Sequence, residues 1–181
     1  MANLITYFTK NEALSLKESV EIYEFSGDPT DFVQDCVQRF REAYISEDKI
    51  QKILSSSRSK SRKDIIDARL PQKTMNVAGD FGEILCYYLW TEVWASDSNI
   101  RPMKIRWKEH PDMPSHYADV ILLKRVDENA ASVDDKMYTI ESKVWTSKMD
   151  AHHSSLTDAL KGAKQDSTER AAKTIPYLVL Q

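Results

Sequence analysis

Tyr-Thr-Ile-Glu-Ser-Lys-Val, at residues 138–144, is the stretch that decides the fold. Its alternation of apolar and polar residues is typical of a β-strand, in which successive side chains point to opposite faces. Glu141 and Lys143 therefore project to one side of the strand, and Ile140 and Val144 to the other. A carboxylate beside an ammonium group on one face suits a cation site, which requires a second carboxylate nearby.

Asp119 is the candidate for that second carboxylate. It opens the apolar run at residues 120–123, and the polar residues 127–136 separate this run from the strand of Glu141. We expect the two strands to form an antiparallel hairpin. If the loop is centred between residues 131 and 132, Asp119 lies opposite residue 144 and close to both Lys143 and Glu141. A register shift of one residue would move Asp119 to the other face of the sheet.

These residues offer oxygen ligands without sulfur or imidazole nitrogen, which favours Mg²⁺ or Mn²⁺ over Zn²⁺. The predicted metal ligands are Asp119, Glu141 and the backbone carbonyl of Ser142, with Lys143 positioning a water for attack on a phosphate. Glu83 lies in an apolar helix predicted over residues 77–93. It is either a third carboxylate of the site or a residue on the solvent-exposed flank of that helix. The spacing alone leaves open a metal site that cleaves phosphodiesters and a structural ion pair.

Composition limits the class of protein. The chain has 181 residues, 41% hydrophobic content and a formal net charge of -3, which predicts one globular domain with a core. Any contact with a polyanion must therefore come from a local basic patch. Two stretches qualify, at residues 55–63 and on a predicted strand at residues 103–108, and each is either a solvated surface or a contact with a nucleic-acid backbone. The candidate nucleic-acid-binding residues are Arg58, Lys60, Arg62, Lys63, Lys104, Arg106, Lys108, His116 and Lys161.

Several classes of site are disfavoured. Cys36 and Cys86 lie in apolar helical patterns, which indicates buried thiols in a reducing cytoplasm and no disulfide. No apolar run approaches the roughly 20 residues of a membrane span, and the first residues lack the pattern of a signal peptide. Four glycines leave no glycine-rich phosphate loop. His152 and His153 diverge on a helix and are not expected to share a metal. We therefore expect a cytoplasmic protein without membrane contact or a small-molecule cofactor.

The remaining elements divide the chain at about residue 70. Residues 1–70 are predicted to form an α+β extension, a candidate surface for docking a partner, and residues 71–181 the core. The extension would contain short strands at residues 4–8 and 20–25, a helix capped by Thr30 that ends at Tyr44, and a second helix over residues 47–54. Asn76 is the predicted cap of the 77–93 helix. Helices after Trp145 and near residues 167–173 precede an apolar strand at residues 175–180, where the sequence ends. This strand is either the terminal strand of the native protein or a sign that the sequence is a fragment of a longer one.

The order of these motifs resembles the PD-(D/E)xK nuclease superfamily. The resemblance consists of Glu83 on a helix, Asp119, the tripeptide Glu141-Ser142-Lys143, and a following helix with Lys161 and Gln165. Within the superfamily the chain is most similar to the HamA family, the nuclease subunits of the Hachiman anti-phage defence system. The similar segments span roughly residues 79–165 and include Gly82-Glu83-Ile84-Leu85, residues 113–119 and Asp158-Ala159-Leu160-Lys161.

The resemblance implies a fold, an activity and partners. The expected fold is a restriction-endonuclease-like α/β core, with a mixed central sheet flanked by helices. The expected activity is Mg²⁺- or Mn²⁺-dependent cleavage of DNA beside a superfamily 2 helicase of the HamB type. Glu83, Asp119, Glu141 and Lys143 would be catalytic, with Asp119 and Glu141 as metal ligands. The alternatives are a restriction- or repair-type endonuclease without a helicase, and a non-catalytic binding or scaffold subunit on a nuclease-like fold.

Overall fold

The fold combines α-helices with short β-strands. The computed structural model describes residues 3–15, 20–57, 59–113, 118–144 and 152–170, without the side chains of residues 152–156 and 170. In these ranges the helices are α1 (Pro29–Tyr44), α2 (Glu47–Ser56), α3 (Arg62–Asp67), α4 (Thr74–Leu89) and α5 (His152–Gln165). The strands are β1 (Phe8–Lys10), β2 (Tyr23–Phe25), β3 (Val120–Lys124) and β4 (Lys136–Ile140), paired as the antiparallel sheets β1–β2 and β3–β4. The chain is therefore a mixed α/β protein.

The predicted strand at residues 4–8 is mostly wrong. Leu4–Tyr7 forms a 3₁₀ turn, and only Phe8–Lys10 enters a strand, which pairs with β2. The backbone N–H of Leu4 donates to the Glu92 carboxylate at 2.6 Å, and Leu4 itself is fully buried. This contact with the far end of the α4 region holds the first residues in a turn, because an extended ladder would not bring that N–H to Glu92.

Helix α1 begins at a different cap from the predicted one. The Asp28 carboxylate accepts hydrogen bonds from the backbone N–H groups of Thr30 and Asp31 at 2.8 and 3.1 Å, and Pro29 occupies the first helical position. A proline at that position loses no hydrogen bond, since its missing N–H would have had no helical partner. Thr30 is therefore inside the helix, whereas the predicted end at Tyr44 is confirmed.

The basic stretch at residues 55–63 is not a continuous loop. Helix α2 continues to Ser56, and α3 begins at Arg62, where Ser61 and Asp64 form a reciprocal capping box. The Arg62 guanidinium donates to both carboxylate oxygens of Glu47, at 2.6 and 2.7 Å. This bidentate pair joins α3 to the start of α2.

The pair between Glu47 and Arg62 predicts an acid-sensitive contribution to stability. The Arg62 hydrogen bonds lower the pKa of Glu47 from 4.5 to about 2. A depressed folded-state pKa stabilises the fold above pH 4.5, and this contribution is lost as the pH falls from 4.5 towards 2. We expect Glu47→Gln to lower the Tm by a few degrees at most at pH 7, because the pair is exposed and screened by salt. The difference from wild type should shrink near pH 3, and Glu128→Gln in the β3–β4 loop is the matched control.

Helix α4 is the central helix of the described fold. It begins at Thr74, two residues before the predicted cap Asn76, whose side-chain amide instead donates to the backbone carbonyl of Asp112 at 2.9 Å. A π-helical turn, Trp90–Trp94, extends it to the region where the predicted helix ends. Ile84 is fully buried and packs in one core cluster with Ala43 of α1, Met103 and Ile105. This cluster contains residues from both sides of position 70.

The hairpin of β3 and β4 confirms the predicted antiparallel pairing but corrects its register. Val120 pairs with Ile140, so that continuing the pairing places Asp119 opposite Glu141 and not opposite residue 144. The loop is centred earlier than expected because the Asp135 carboxylate closes it. That carboxylate accepts from the N–H groups of Val126 at 2.8 Å and Ser132 at 3.0 Å.

The predicted strand at residues 103–108 is wrong. Lys104–Trp107 forms a 3₁₀ turn, in which the N–H of Arg106 donates to the carbonyl of Met103. The three basic residues therefore do not share an exposed face. The Lys108 ammonium is buried in an ion pair with Asp80, and the Lys104 ammonium is buried against the carbonyl of Ala118. The Arg106 side chain is exposed and donates to the Glu42 carbonyl.

Some predicted features lie outside the described residues. These are the strand at residues 175–180, Arg58, and the segment that contains His116. A mixed central sheet is not present in the described ranges, where both sheets have two strands. In the same part of the chain, no helix is both long and apolar enough to cross a membrane. The two cysteines are free thiols, with Cys36 buried and Cys86 half-buried.

Candidate functional site

The candidate site lies where the hairpin of β3 and β4 opens. Strand β4 ends at Ile140. The predicted strand continued past this point and included Glu141 and Lys143. The ladder stops because the backbone N–H of Ser142 donates to the Asp119 carboxylate, at 2.7 Å, and not to a strand carbonyl. A carboxylate that accepts a backbone N–H is fixed in place. Asp119 is thereby held beside the Glu141-Ser142-Lys143 tripeptide.

Glu141 and Lys143 form an ion pair at this position. The Lys143 ammonium donates to the Glu141 carboxylate. The Glu141 side chain is only 6% exposed, whereas that of Lys143 is 41% exposed. The carboxylate is thus held inside the protein while the ammonium reaches the surface, where a substrate is accessible to it.

Asp119 is an acid with a perturbed proton affinity. Burial raises the pKa of Asp119, and the nearby charge of Glu141 raises it further. The hydrogen bond from Ser142 and the charges of Lys143 and Lys104 act in the opposite direction. Burial is the largest of these influences, so ionised Asp119 is costly unless a cation compensates it. Buried acids whose pKa is shifted by burial and by neighbouring charges are more frequent at functional sites than elsewhere, although structural ion pairs also shift pKa values.

Two glycines allow helices to close on the tripeptide from two sides. A Cβ atom on Gly82 of α4 would lie 2.6 Å from the Ser142 hydroxyl oxygen and would also collide with the Val144 side chain. A Cβ atom on Gly162 of α5 would lie 2.5 Å from the carboxyl carbon of Glu141. Side chains other than hydrogen do not fit at these approaches. Helices α4 and α5 therefore contact the tripeptide directly through glycine.

Glu83 faces the same region from α4. It lines a small cavity with Lys104, Asp119 and Val120 among its walls, with a volume of about 10 Å³. A cavity of that size holds about one water molecule. We refer to Glu83, Asp119 and Glu141 as the acid site.

The acid site fits a divalent cation by its chemistry. Its donors are carboxylate oxygens, together with the carbonyl of Ser142, and these are the ligands that Mg²⁺ and Mn²⁺ prefer. Among the described residues, no three His, Cys, Asp or Glu side chains converge on a single metal position. Mg²⁺ is commonly held by one or two carboxylates, with waters and substrate phosphates completing the shell. Asp119 and Glu141, opposite each other in the hairpin, meet that smaller requirement.

The remaining basic candidates are exposed, and three of the four lie close together in sequence at residues 60–63. They are Lys60, Arg62, Lys63 and Lys161. Three of them already contact carboxylates: Arg62 contacts Glu47, Lys63 contacts Asp67 at 2.5 Å, and Lys161 lies 3.8 Å from Asp158. They do not form one contiguous basic stripe with the buried Lys104 and Lys108.

Sequence reasoning missed three features of the site. Lys104 was expected at the surface and instead is buried on the wall of the cavity that it shares with Glu83 and Asp119. Gly162 was not recognised as the contact of α5 with Glu141, although a glycine within a helix is unfavourable enough to suggest close packing. Asp166, which follows α5, is fully buried, and its charge acts on Lys104.

Comparison with known proteins identifies one family. A family model described as HamA matches residues 3–178 of the 181. The match therefore includes residues 3–70, for which the sequence motifs gave no resemblance. No curated protein and no solved structure matches the chain.

Proposed function

The chain belongs to the HamA family, and this membership fits a role in anti-phage defence. On that premise we propose that the protein is a metal-dependent DNA nuclease. In this proposal it is the effector of a bacterial antiviral system and acts beside a helicase partner. The observation that carries the proposal is the position of Asp119. It lies opposite Glu141 and accepts the Ser142 N–H at 2.7 Å, next to the ion pair of Glu141 with Lys143.

The chemistry follows from the character of these groups. Asp119, Glu141 and the Ser142 carbonyl would hold a Mg²⁺ or Mn²⁺ ion. When bound, such an ion stabilises negative charge on a phosphate and on its leaving oxygen. Lys143 carries a positive charge at the surface beside these proposed ligands. In this proposal its ammonium group orients the attacking water and the phosphate. Glu83, on the wall of the cavity shared with Asp119, would help to orient a water molecule there.

The net negative charge of the chain is consistent with a partner that brings DNA to it. With a net charge of -3, the protein binds DNA weakly by itself. The exposed residues Lys60, Arg62, Lys63, Arg106 and Lys161 are the candidates for local contacts to phosphates, and four of them would exchange their present contacts with acidic groups or a carbonyl for a phosphate. A helicase that delivers DNA to the acid site would supply the remaining affinity, and residues 1–70 are our candidate docking region for it.

Neutralising Asp119 tests the proposed metal site. We expect wild-type protein to cleave plasmid DNA with Mg²⁺ or Mn²⁺, faster with a helicase encoded nearby than alone, and to stop in EDTA. Asp119→Asn retains an acceptor for the Ser142 N–H but removes the charge. It should therefore weaken Mn²⁺ binding by at least about 10- to 100-fold, the loss that follows when only an outer-shell partner of a metal ligand is removed, and reduce cleavage accordingly. Calorimetric Mn²⁺ titration measures the first effect, and Asp134→Asn in the hairpin loop is the matched control. Undiminished Mn²⁺ binding by Asp119→Asn would contradict this site.

One observation supports a second candidate function. The Lys143 ammonium already neutralises Glu141, as it would in a scaffold or binding subunit that has a nuclease-like fold without catalysis. In that case neither DNA cleavage nor Mn²⁺ binding would depend on Asp119. A restriction- or repair-type endonuclease without a helicase would cleave independently of any partner, so the same assays separate all three functions.

A further inference from the structure

Lys104 occupies an unusual position for a lysine. It begins the 3₁₀ turn Lys104–Trp107 and is only 5% exposed. Its ammonium group donates to the backbone carbonyl of Ala118, the residue immediately before Asp119. Lys104 also lines the water-sized cavity together with Glu83 and Asp119. A buried ammonium group is costly unless carboxylates compensate its charge.

Two carboxylates, Glu83 and Asp119, share the cavity wall with Lys104, and the charges of four carboxylates act on its ammonium group. Burial lowers the pKa of Lys104, while the charges of Glu83, Asp119, Asp166 and Glu141, in this order of size, raise it. Lys104 in turn stabilises ionised Asp119. The carboxylates therefore obtain from Lys104 part of the positive charge that a metal ion would bring to them.

We propose that Lys104 is a positioning residue that acts as the internal counter-ion of the acid site and competes with a divalent cation for its carboxylates. Through the Ala118 carbonyl it also fixes the backbone that leads into Asp119. Because the interior screens charges poorly, a positive charge at this position repels an arriving cation strongly. The competition part of this inference rests on the proposed metal-dependent function, whereas the counter-ion part does not.

Lys104→Gln is the direct test, because glutamine retains a donor for the Ala118 carbonyl and removes the charge. Binding of Mn²⁺ by the full chain is measured by calorimetry. We expect Lys104→Gln to bind Mn²⁺ at least about tenfold more tightly than wild type, since repulsion between the charges is removed. Lys108→Gln, which neutralises a buried lysine paired with Asp80, should leave the Mn²⁺ affinity unchanged. Unchanged or weaker Mn²⁺ binding by Lys104→Gln would overturn the competition.

A double-mutant cycle in EDTA tests the counter-ion without any metal. Lys104→Gln should lower the Tm by several degrees in the wild-type background, and by less than half as much in an Asp119→Asn background, because the two charges compensate each other. The double variant should fold even where Lys104→Gln alone does not. Additive effects on the Tm would overturn the counter-ion role. Coupling in EDTA without Mn²⁺ binding by any variant would support the counter-ion role and reject the proposed metal site. Mn²⁺ binding without coupling would support the metal site and reject the counter-ion role.

Discussion

Gly82→Ala is expected to destabilise the protein and to disturb the acid site, although alanine is the better helix former. A methyl group at position 82 would lie 2.6 Å from the Ser142 hydroxyl oxygen and would overlap the Val144 side chain. Val144 is β-branched and has few alternative rotamers. Either the tripeptide or α4 must therefore move. Overpacking of this kind costs about 1–3 kcal/mol, which for a chain of this size lowers the Tm by roughly 2–12 °C.

Gly79→Ala is the matched control on the same helix. Beyond its chain neighbours and the nearby backbone of its own helix, a Cβ atom at position 79 would have no atom within 4 Å. Alanine in an exposed helix interior stabilises by up to about 1 kcal/mol relative to glycine, so Gly79→Ala should raise the Tm slightly. Thermal unfolding of both variants measures the contrast. An equal or higher Tm for Gly82→Ala than for Gly79→Ala would mean that α4 does not contact the tripeptide as closely as the structure indicates.

The hairpin was accessible from sequence because its information is local. The apolar run before Glu141, the run after Asp119 and the polar loop between them are sufficient to predict antiparallel neighbours, and the two acids follow from that pairing. The register was not accessible. It depends on hydrogen bonds from Val126 and Ser132 to the Asp135 carboxylate, which no alternation of polarity encodes. The observed register differs from the predicted one by three positions and places Asp119 opposite Glu141, where residue 144 was expected.

In the basic segment at residues 103–108, by contrast with the hairpin, the local sequence pattern predicted the wrong structure. Its alternation of lysine, arginine and apolar residues has the period of a strand, yet the chain forms a turn there. The buried acid Asp80 and the Ala118 carbonyl provide partners for Lys108 and Lys104 that are distant in sequence. Such tertiary partners override the local pattern. For the same reason the counter-ion position of Lys104 and the contact of Gly162 with Glu141 depend on packing that one sequence does not reveal.

The largest effect on activity is expected from Lys143→Met. If the protein is a nuclease, this variant loses the cationic group that orients water and phosphate, and contributions of that kind are worth about 10²- to 10⁴-fold in rate. Methionine retains much of the apolar length of lysine, and the pair with Glu141 is partly solvated at its lysine end. We therefore expect a Tm within a few degrees of wild type. Lys136→Met at the exposed start of β4 removes a lysine from the same hairpin and is the matched control.

The combination of two measurements on Lys143→Met decides what Lys143 does. A cleavage rate reduced by at least about 10²-fold, with Mn²⁺ binding retained, would assign Lys143 to the chemical step and the carboxylates to the metal. Removing the ammonium also releases Glu141 from its ion pair, so Mn²⁺ binding should be equal to wild type or tighter. Weaker Mn²⁺ binding would instead mean that Lys143 holds Glu141 in position for the metal. Cleavage at the wild-type rate would remove Lys143 from the mechanism and leave its pair with Glu141 as a structural contact.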